Sequence, residues 1–371
     1  MLIFLWLILI CVFAGSYATY FIYLKIMAKK NWNLKVDPNF SPNVTILVPA
    51  YNEERNIQAK LKNLAEVSYP KDKMEIILID DASTDKTLEK AYTFLERNPE
   101  LSVKILRQNP RKGKANALNL GLKSASTDII IVTDADSIWP FDVLEKTLPY
   151  LADPAVGAVT GRGVIANLSE SWTAKVEKVY LNVMNLLRLG ESKVHSTIRF
   201  EGCLCVFKKN AFNYFDVESG ADDSGTALKV VQNGFRAILV PEAYAFSEVP
   251  GKFGVRVKAK LRRAVHLTGL WLCCLKFLFR GQLRLPKKLA VPEILIMIIN
   301  PIIFAVLATL TIVLAFLYPI ILTVLIICSC IFVLIPRIRN QIFQAILDQF
   351  ILFYAILLNL RGKRIVAWEK R

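Results

Sequence analysis

Apolar residues are distributed along the chain in two ways. Near both ends they form long blocks without charge; between the blocks they form short runs interrupted by polar clusters. Residues 2–24, LIFLWLILICVFAGSYATYFIYL, contain no charged side chain, and a bilayer takes ~20 such residues to cross. A second block begins near Val291 and runs to Pro336, with no charge between Glu293 and Arg337. That length holds two spans, with Asn300-Pro301 as a break in the first and Tyr318-Pro319 at the turn between them. A third stretch, Ile342 to Leu360, carries Gln344, Asp348, Gln349 and Asn359, several of them near one helical face. Two readings stay open for it: a helix lying at the membrane interface, or one that turns its polar stripe toward other helices.

Between the blocks, strand and helix patterns alternate. NVTILVPAYN reads as a strand and NEERNIQAKLKNLAEV as a helix after Asn52; MEIILIDDASTD and KTLEKAYTFLERN repeat the pair. VKILRQN and DIIIVTDADS add strands around a helical KANALNLGLKSA. Repeated βαβ units of this length imply an α/β fold with a parallel sheet and helices on both faces. The expected division is an N-terminal transmembrane helix at 1–25, a globular domain at 26–250 and amphipathic interface helices at 251–289. Two transmembrane helices at 290–336 follow, then a further membrane or interfacial helix with a basic tail at 337–371.

Composition agrees with a chain partly in lipid: 371 residues, 54% hydrophobic, mean hydropathy +0.39. The first block has no basic residues before it, and Lys25, Lys29 and Lys30 follow where a cleavage site would lie, so it reads as an anchor and not a signal peptide. Those lysines with Lys35, and Arg284, Lys287 and Lys288 before the second block, place the middle region in the cytoplasm by the positive-inside rule; the plasma membrane is the expected location. The net charge of +16 is densest from Lys252 to Lys288, where basic residues alternate with Leu, Val, Phe and Trp271. Beside a membrane this mixture suits a helix on anionic headgroups, and no nucleic-acid motif accompanies it, so membrane lipids and not nucleic acid are the expected partner. The seven cysteines have no metal or redox spacing, and His195 and His266 are too isolated for a zinc site.

In parallel sheets ligands bind beyond the carboxyl ends of the strands. Three strands end there in polar groups: Tyr51-Asn52-Glu53, Asp80-Asp81 and Asp134-Ala135-Asp136. Each alone suits an ordinary turn or helix cap, but three at one edge make a site. The pair Asp134 and Asp136, at the rim of an apolar strand, also requires a positive partner, because like charges that are partly desolvated repel.

Four segments in this order, VPAYNEE (48–54), IDDASTD (79–85), RKGKANALNLGL (111–122) and TDADS (133–137), resemble the inverting family 2 glycosyltransferases. The likeness covers residues 43–265 and is nearest to the membrane-anchored branch that includes hyaluronan, chitin and poly-N-acetylglucosamine synthases. Ala82 stands where the family usually has Gly. The resemblance implies a GT-A fold, Rossmann-like with a mostly parallel sheet, as a cytosolic domain flanked by transmembrane helices. It implies that Pro49, Tyr51, Glu53, Asp80, Asp81, Lys114 and Asp134 bind the nucleotide sugar. Asp136, assisted by Asp134, would hold Mg²⁺ or Mn²⁺, hard cations that take oxygen ligands and bridge to the diphosphate. On that reading the missing positive partner is the metal.

The later segment GADDSGTALKVVQNGFRAILVPEA resembles the family's acceptor-side element. Asp223 takes the position of the catalytic base and Asp222 that of the neighbouring Glu, while Gly225 and Thr226 replace Asp-Leu. Acidic residues also suit a helix N-terminus, which is the plainer reading of the pair. KLRRAVH at 260–266 falls where processive synthases carry QxxRW: Arg263 matches the Arg that would neutralise the departing diphosphate, Lys260 replaces Gln, and Ala264 replaces Trp. The lost aromatic platform implies addition of one or a few sugars. Gly202, with Lys208 and Lys209 after it, resembles the small-residue element leading to the acceptor.

The implied activity is metal-dependent transfer of a sugar from a UDP-sugar to a hydroxyl of a polysaccharide or lipid-linked saccharide. A polyprenyl-phosphate acceptor is the nearest rival, but a phosphate is already ionised and needs no base. An inactive nucleotide-sugar-binding membrane protein is the rival from another class; intact Asp136, Asp223 and Arg263 argue against it.

Overall fold

Strand β1 (Val44–Ala50) is buried at every position but Pro49, as expected of an apolar, β-branched run covered on both faces. Its neighbours in sequence are α1 (Leu2–Ala28), α2 (Ile57–Glu66), β2 (Met74–Asp80), α3 (Thr87–Arg97) and β3 (Val103–Arg107). Then come α4 (Lys114–Ser124), β4 (Ile129–Val132), α5 (Val143–Thr147), β5 (Val156–Ile165), α6 (Trp172–Val194) and β6 (Cys205–Lys208). The remainder comprises α7 (Asp222–Gln232), β7 (Arg236–Ser247), α8 (Phe253–Phe279), α9 (Lys287–Ile294), α10 (Asn300–Leu317) and α11 (Pro336–Leu360). This computed structural model describes residues 1–167, 172–248, 253–321, 323 and 336–362, by backbone alone at 172–176 and 336–338. The chain divides into two compact units, Leu24–Val255 and Met1–Tyr23 with the segment that begins at Arg256.

The first unit is built on a seven-stranded sheet in the order β3-β2-β1-β4-β6-β5-β7. β1, β2, β3 and β4 are mutually parallel, β5 and β7 are parallel to each other, and β6 runs antiparallel to β4 and β5. The sheet is thus mostly parallel, in an α/β architecture. Alternate carbonyls of β1 face opposite neighbours: that of Leu47 accepts from Thr133 N and that of Ala50 from Asp81 N. Pro49 shares the β4 side with Leu47 but lies beyond Leu47↔Val132, the last pair with β4, so its missing N–H costs no ladder bond.

The reversed β6 has a consequence for the site. Its first residue, Cys205, pairs with Val132 at the carboxyl end of β4, while Lys208 pairs with Ile129 at the other end. Gly202 therefore approaches the edge where Asp134 lies, and Lys208 and Lys209 do not. Their ammonium groups donate to the carbonyls of Asp153 and Ala125 (2.8 and 3.0 Å), so of this segment only Gly202 stands by that edge.

Among the described residues, three helical segments are long and apolar enough to cross a membrane: Leu2–Ala28, Lys287–Leu317 and Arg339–Leu360. The expected break at Asn300-Pro301 is a π-helical turn just upstream, Leu295–Ile299, and the helix resumes at Asn300. Proline cannot donate to the helical ladder and crowds the preceding turn, and the wider turn makes room for it. The span expected between Pro319 and Pro336 falls almost wholly outside the described residues, as does most of the basic tail.

The structure chooses between the two readings of Ile342 to Leu360. α11 turns its polar stripe toward other helices: Gln344 Oε1 accepts from Arg256 (2.8 Å), Asp348 from Lys260 (3.0 Å), and Asn359 Nδ2 donates to Val265 O and Thr268 Oγ1 (2.8 Å each). Gln349 donates to the Tyr17 hydroxyl of α1 (2.9 Å), and Asn300 of α10 to Ser16 (2.7 Å). Helices that share an apolar surroundings gain specificity from such bonds, since no water competes for the polar groups.

Gly225, where the family resemblance leads one to expect Asp, is fixed by close approach. A Cβ there would lie 2.7 Å from both Cβ and Cγ of Asp216. Asp216 is buried, accepts from Ser219 N (2.9 Å) and forms an ion pair with Lys229 Nζ (3.1 Å), and its own N–H donates to Thr226 Oγ1 (3.0 Å). A carboxylate from the preceding loop thus occupies the space beside the first turn of α7. Gly225→Ala should lower stability by about 2 kcal/mol, the cost of overpacking a filled site, which thermal unfolding in detergent would record as a lower midpoint.

Candidate active site

The turns after β1 and β2 interlock. Asn52 and Ala82 both adopt left-handed backbone, at φ 53° and 61°. Asn tolerates this conformation, whereas Ala bears a Cβ penalty of roughly 1 kcal/mol, which explains why glycine is usual there. Asn52 N donates to Ser83 Oγ (2.9 Å), Thr84 N to Asn52 Oδ1 (2.8 Å), and Glu53 N to Thr87 Oγ1 (2.7 Å). Asp80 is wholly buried and accepts from Ser83 N (3.3 Å), closing the turn from inside.

Asp81 supports the next loop. Its carboxylate accepts from Gln108 Nε2 (2.6 Å), Lys112 N (2.9 Å) and Gly113 N (2.9 Å), with Arg111 Nε at 3.7 Å. The Arg111 guanidinium also lies 3.6 Å over the Tyr51 ring. Gly113, at φ 88°, precedes the first residue of α4, Lys114. The carboxylate at the end of β2 therefore sets where that lysine emerges.

Lys114 joins the two halves of the site. Its ammonium lies 2.7 Å from Asp134 Oδ1 and 3.2 Å from Asp222 Oδ2. Gly202 closes over this bridge; a Cβ there would be 2.5 Å from Lys114 Nζ and 3.1 Å from Asp134 Oδ2. Burial alone would lower the Lys114 pKa, but Asp134, Asp222 and Asp223 together hold it well above the ordinary lysine range. Asp222 and Asp223 open α7 and so stand at a helix N-terminus, as the plainer reading of the pair expects. Burial and the neighbouring Asp222 push the Asp223 carboxyl up to about 7, although Lys114 and the Ser224 N–H (2.6 Å) act in the opposite sense.

A buried lysine that the motifs did not mark stands behind these groups. Lys60 occupies the buried stripe of α2 with Ile57, Leu61 and Leu64. Its ammonium donates to Thr133 Oγ1 (2.6 Å) and Ser137 O (3.0 Å) and lies 4.4 Å from the Trp139 ring centroid. Burial lowers its pKa to about 7, against the pull of Asp134 and Asp136. Thr133 and Trp139 in turn donate to Cys203 O (3.1 and 2.8 Å), and Glu201 receives Gly163 N (2.7 Å) and the Arg188 guanidinium. The segment carrying Gly202 is thereby tied on both sides. A charged residue inside an apolar helical stripe was the signal for Lys60; nothing in the sequence signalled Gln108 or Arg188.

The structure thus brings Tyr51, Glu53, Asp80, Asp81, Lys114, Asp134, Asp136, Asp222 and Asp223 to one sheet edge. Asp136 is exposed there. Arg263 lies on α8, in the other unit. Of its motif neighbours, Lys260 pairs with Asp348, and Ala264 packs with Ile351, Ala355 and Leu358. Trp271 is buried as well. Among the described residues no group of three or more His, Cys, Asp or Glu side chains is set to hold a cation. Two carboxylates of hard oxygen still suit Mg²⁺ or Mn²⁺, which commonly bind one or two carboxylates and complete their shell with substrate phosphate and water.

Comparison with known proteins bears on this geometry. Residues 45–215 match the family described as glycosyl transferase family 2. Poly-beta-1,6-N-acetyl-D-glucosamine synthase of Staphylococcus aureus (strain COL) is 32% identical over 242 residues, which cover 62% of this chain and 57% of that protein. The same enzyme of Staphylococcus epidermidis is 30% identical over 229 residues, covering 60% and 53%. The chain therefore spans somewhat more than half the length of these curated relatives. A solved structure, mannosyltransferase PcManGT from Pyrobaculum calidifontis in complex with GDP-Man and Mn2+, is similar throughout: TM-score 0.85 and 31% identity, covering 98% of this chain and 100% of that one.

Removing the buried lysine should be costly. Lys60→Ala leaves Thr133 and Ser137 without their donor and opens a cavity, so a loss of about 3 kcal/mol is expected. Lys60→Met, which fills the volume, should cost less; denaturant unfolding of the two variants side by side measures the difference.

Proposed function

Because the chain belongs to glycosyl transferase family 2, we propose that it is a membrane-embedded, inverting hexosyltransferase. It would move one or a few sugars from a nucleoside diphosphate sugar onto a hydroxyl of a saccharide or lipid-linked saccharide. The observation that carries this reading is the Lys114 bridge, which joins Asp134 of the first carboxylate pair to Asp222 of the second. Donor-side and acceptor-side groups thereby share one edge of the sheet.

In this reading Tyr51, Glu53 and Asp81 line the nucleoside pocket, with Asp80 behind them and Pro49 ending the strand that presents them. Asp136 and Asp134 would hold Mg²⁺ or Mn²⁺, which supplies positive charge to the diphosphate as it leaves. Lys114 adds a fixed charge. Asp223 accepts the proton of the acceptor hydroxyl as that oxygen bonds to the anomeric carbon and the bond to the diphosphate breaks, inverting the configuration. Arg263 would neutralise the leaving diphosphate. The sheet unit lies on the cytoplasmic side, supported by Lys25, Lys29, Lys30 and Lys35 on one flank and Arg284, Lys287 and Lys288 on the other.

For the donor, motif resemblance to the synthases favours a UDP-sugar. The relative aligned over its whole length carries GDP-Man, which puts GDP-mannose beside UDP-N-acetylglucosamine as the donors to try first. A panel of both, with purified protein, Mn²⁺ and membrane lipids, read by nucleotide release and product mass, tests the proposal; release with neither, nor with any other nucleotide sugar, would overturn it.

Metal removal gives a sharper test. Transfer should be lost in EDTA and return with Mn²⁺ or Mg²⁺, and Asp136→Asn should fall by several kcal/mol of barrier stabilisation, beyond ~100-fold in rate. Full activity in EDTA would remove Asp134 and Asp136 from this role.

Asp223 offers a pH test. A base must be deprotonated to act, and this carboxyl is raised to about 7, so kcat/KM should climb with a one-proton dependence as pH rises through that value. Asp223→Asn should abolish the climb and cut the rate by ~100-fold or more, while donor affinity stays nearly constant. An unchanged rate would point instead to a phosphate acceptor, which needs no base.

A further inference from the structure

We propose that Lys114 is a resident counter-ion that keeps Asp134 closed to a bare divalent cation and releases it only when the cation arrives with a diphosphate, so that metal and donor load together. This rests on the reading of Asp134 and Asp136 as metal ligands. The ammonium lies 2.7 Å from Asp134 and 3.2 Å from Asp222, at 19% side-chain exposure. Backbone encloses it: the Cβ position of Gly202 falls 2.5 Å from Nζ. Such a charge-assisted pair, between the first residue of α4 and the loop that follows β4, is not given up freely.

A bare cation at this edge meets poor terms. No third His, Cys, Asp or Glu stands ready among the described residues, so the cation depends on Asp134 and Asp136, and for Asp134 it competes with the ammonium. Success leaves two like charges beside each other. A diphosphate changes both terms. Its oxygens complete the cation's shell, and they give the ammonium a new anionic partner. Asp134 then passes to the cation and Lys114 to the phosphate, with every charge still paired. Asp222, the second anchor of Lys114, feels the exchange directly, which couples donor loading to the pair that holds Asp223.

The test needs no turnover. Mn²⁺ binding to the full-length protein in detergent is measured by the loss of the free-ion EPR signal, alone and with GDP or UDP as probe. Wild-type protein should bind bare Mn²⁺ weakly and bind it at least about tenfold more tightly with diphosphate present. Lys114→Met should bind bare Mn²⁺ about tenfold more tightly than wild type and lose most of the gain from diphosphate. Lys114→Arg, which keeps the charge, should stay weak toward bare Mn²⁺. Should Lys114→Met fail to fold, Lys114→Gln serves, with the Mn²⁺-induced shift of the unfolding midpoint as a second readout.

Bare-ion affinity in the neutral variants equal to or below that of wild type overturns the counter-ion role, even if wild type shows the synergy with diphosphate. Absence of Mn²⁺ binding to wild type with either diphosphate overturns the metal reading itself, and this inference with it.

Discussion

Asp134, Asp136, Asp222 and Asp223 converge on one edge of the sheet, and repulsion among them would open that edge were it not offset. The ammonium of Lys114, shared between Asp134 and Asp222, supplies the offset within a few ångströms. Its placement depends on a chain of supports that runs back into the sheet. Asp81, at the end of β2, holds Lys112 N and Gly113 N; Gly113 turns the chain into α4; Lys114 follows. From below, Lys60 grips the residues on either side of the Asp134–Asp136 pair through Thr133 and Ser137. Two lysines therefore hold the carboxylates, one partly accessible and one sealed in the core.

Departures from the family pattern find partners nearby. Gly225 makes room for Asp216, and Thr226, where Leu is usual, receives the Asp216 N–H. Lys260, in place of a glutamine, pairs with Asp348, and Ala264, in place of a tryptophan, fits against Ala355 and Leu358. An indole at 264 would have to displace that wall. The partner lies nine or ten residues away for Gly225 and Thr226 and on another helix for Lys260 and Ala264, so the substitutions are joint adjustments of packing and charge.

The apolar unit follows a related rule. Gln344, Asp348, Gln349, Asn300 and Asn359 each find a partner on another helix. Polar side chains in an apolar setting are costly unless paired, and pairing them fixes rotation and register where apolar surface alone would allow sliding.

How much of this was legible in the sequence depends on the range of the interaction. Local pattern was enough for β1 to β4 and the helices between them, because burial of a parallel strand writes itself as a continuous apolar run and a helix as a stripe. It was enough, too, for the edge where Tyr51, Asp81 and Asp134 gather, since parallel strands put their carboxyl ends together. The lysine in the α2 stripe was visible as an anomaly but not as a support of Thr133. What local pattern could not carry was the reversed β6, which separates Gly202 from Lys208, or the choice of Lys114 as the partner of Asp134. The first arises from the pairing of 132 with 205 and the second from the pairing of 114 with both 134 and 222, which no periodicity records. The polar stripe of α11 shows the same division: its residue types declared that something polar must meet them, and only the folded chain determined that α8 would.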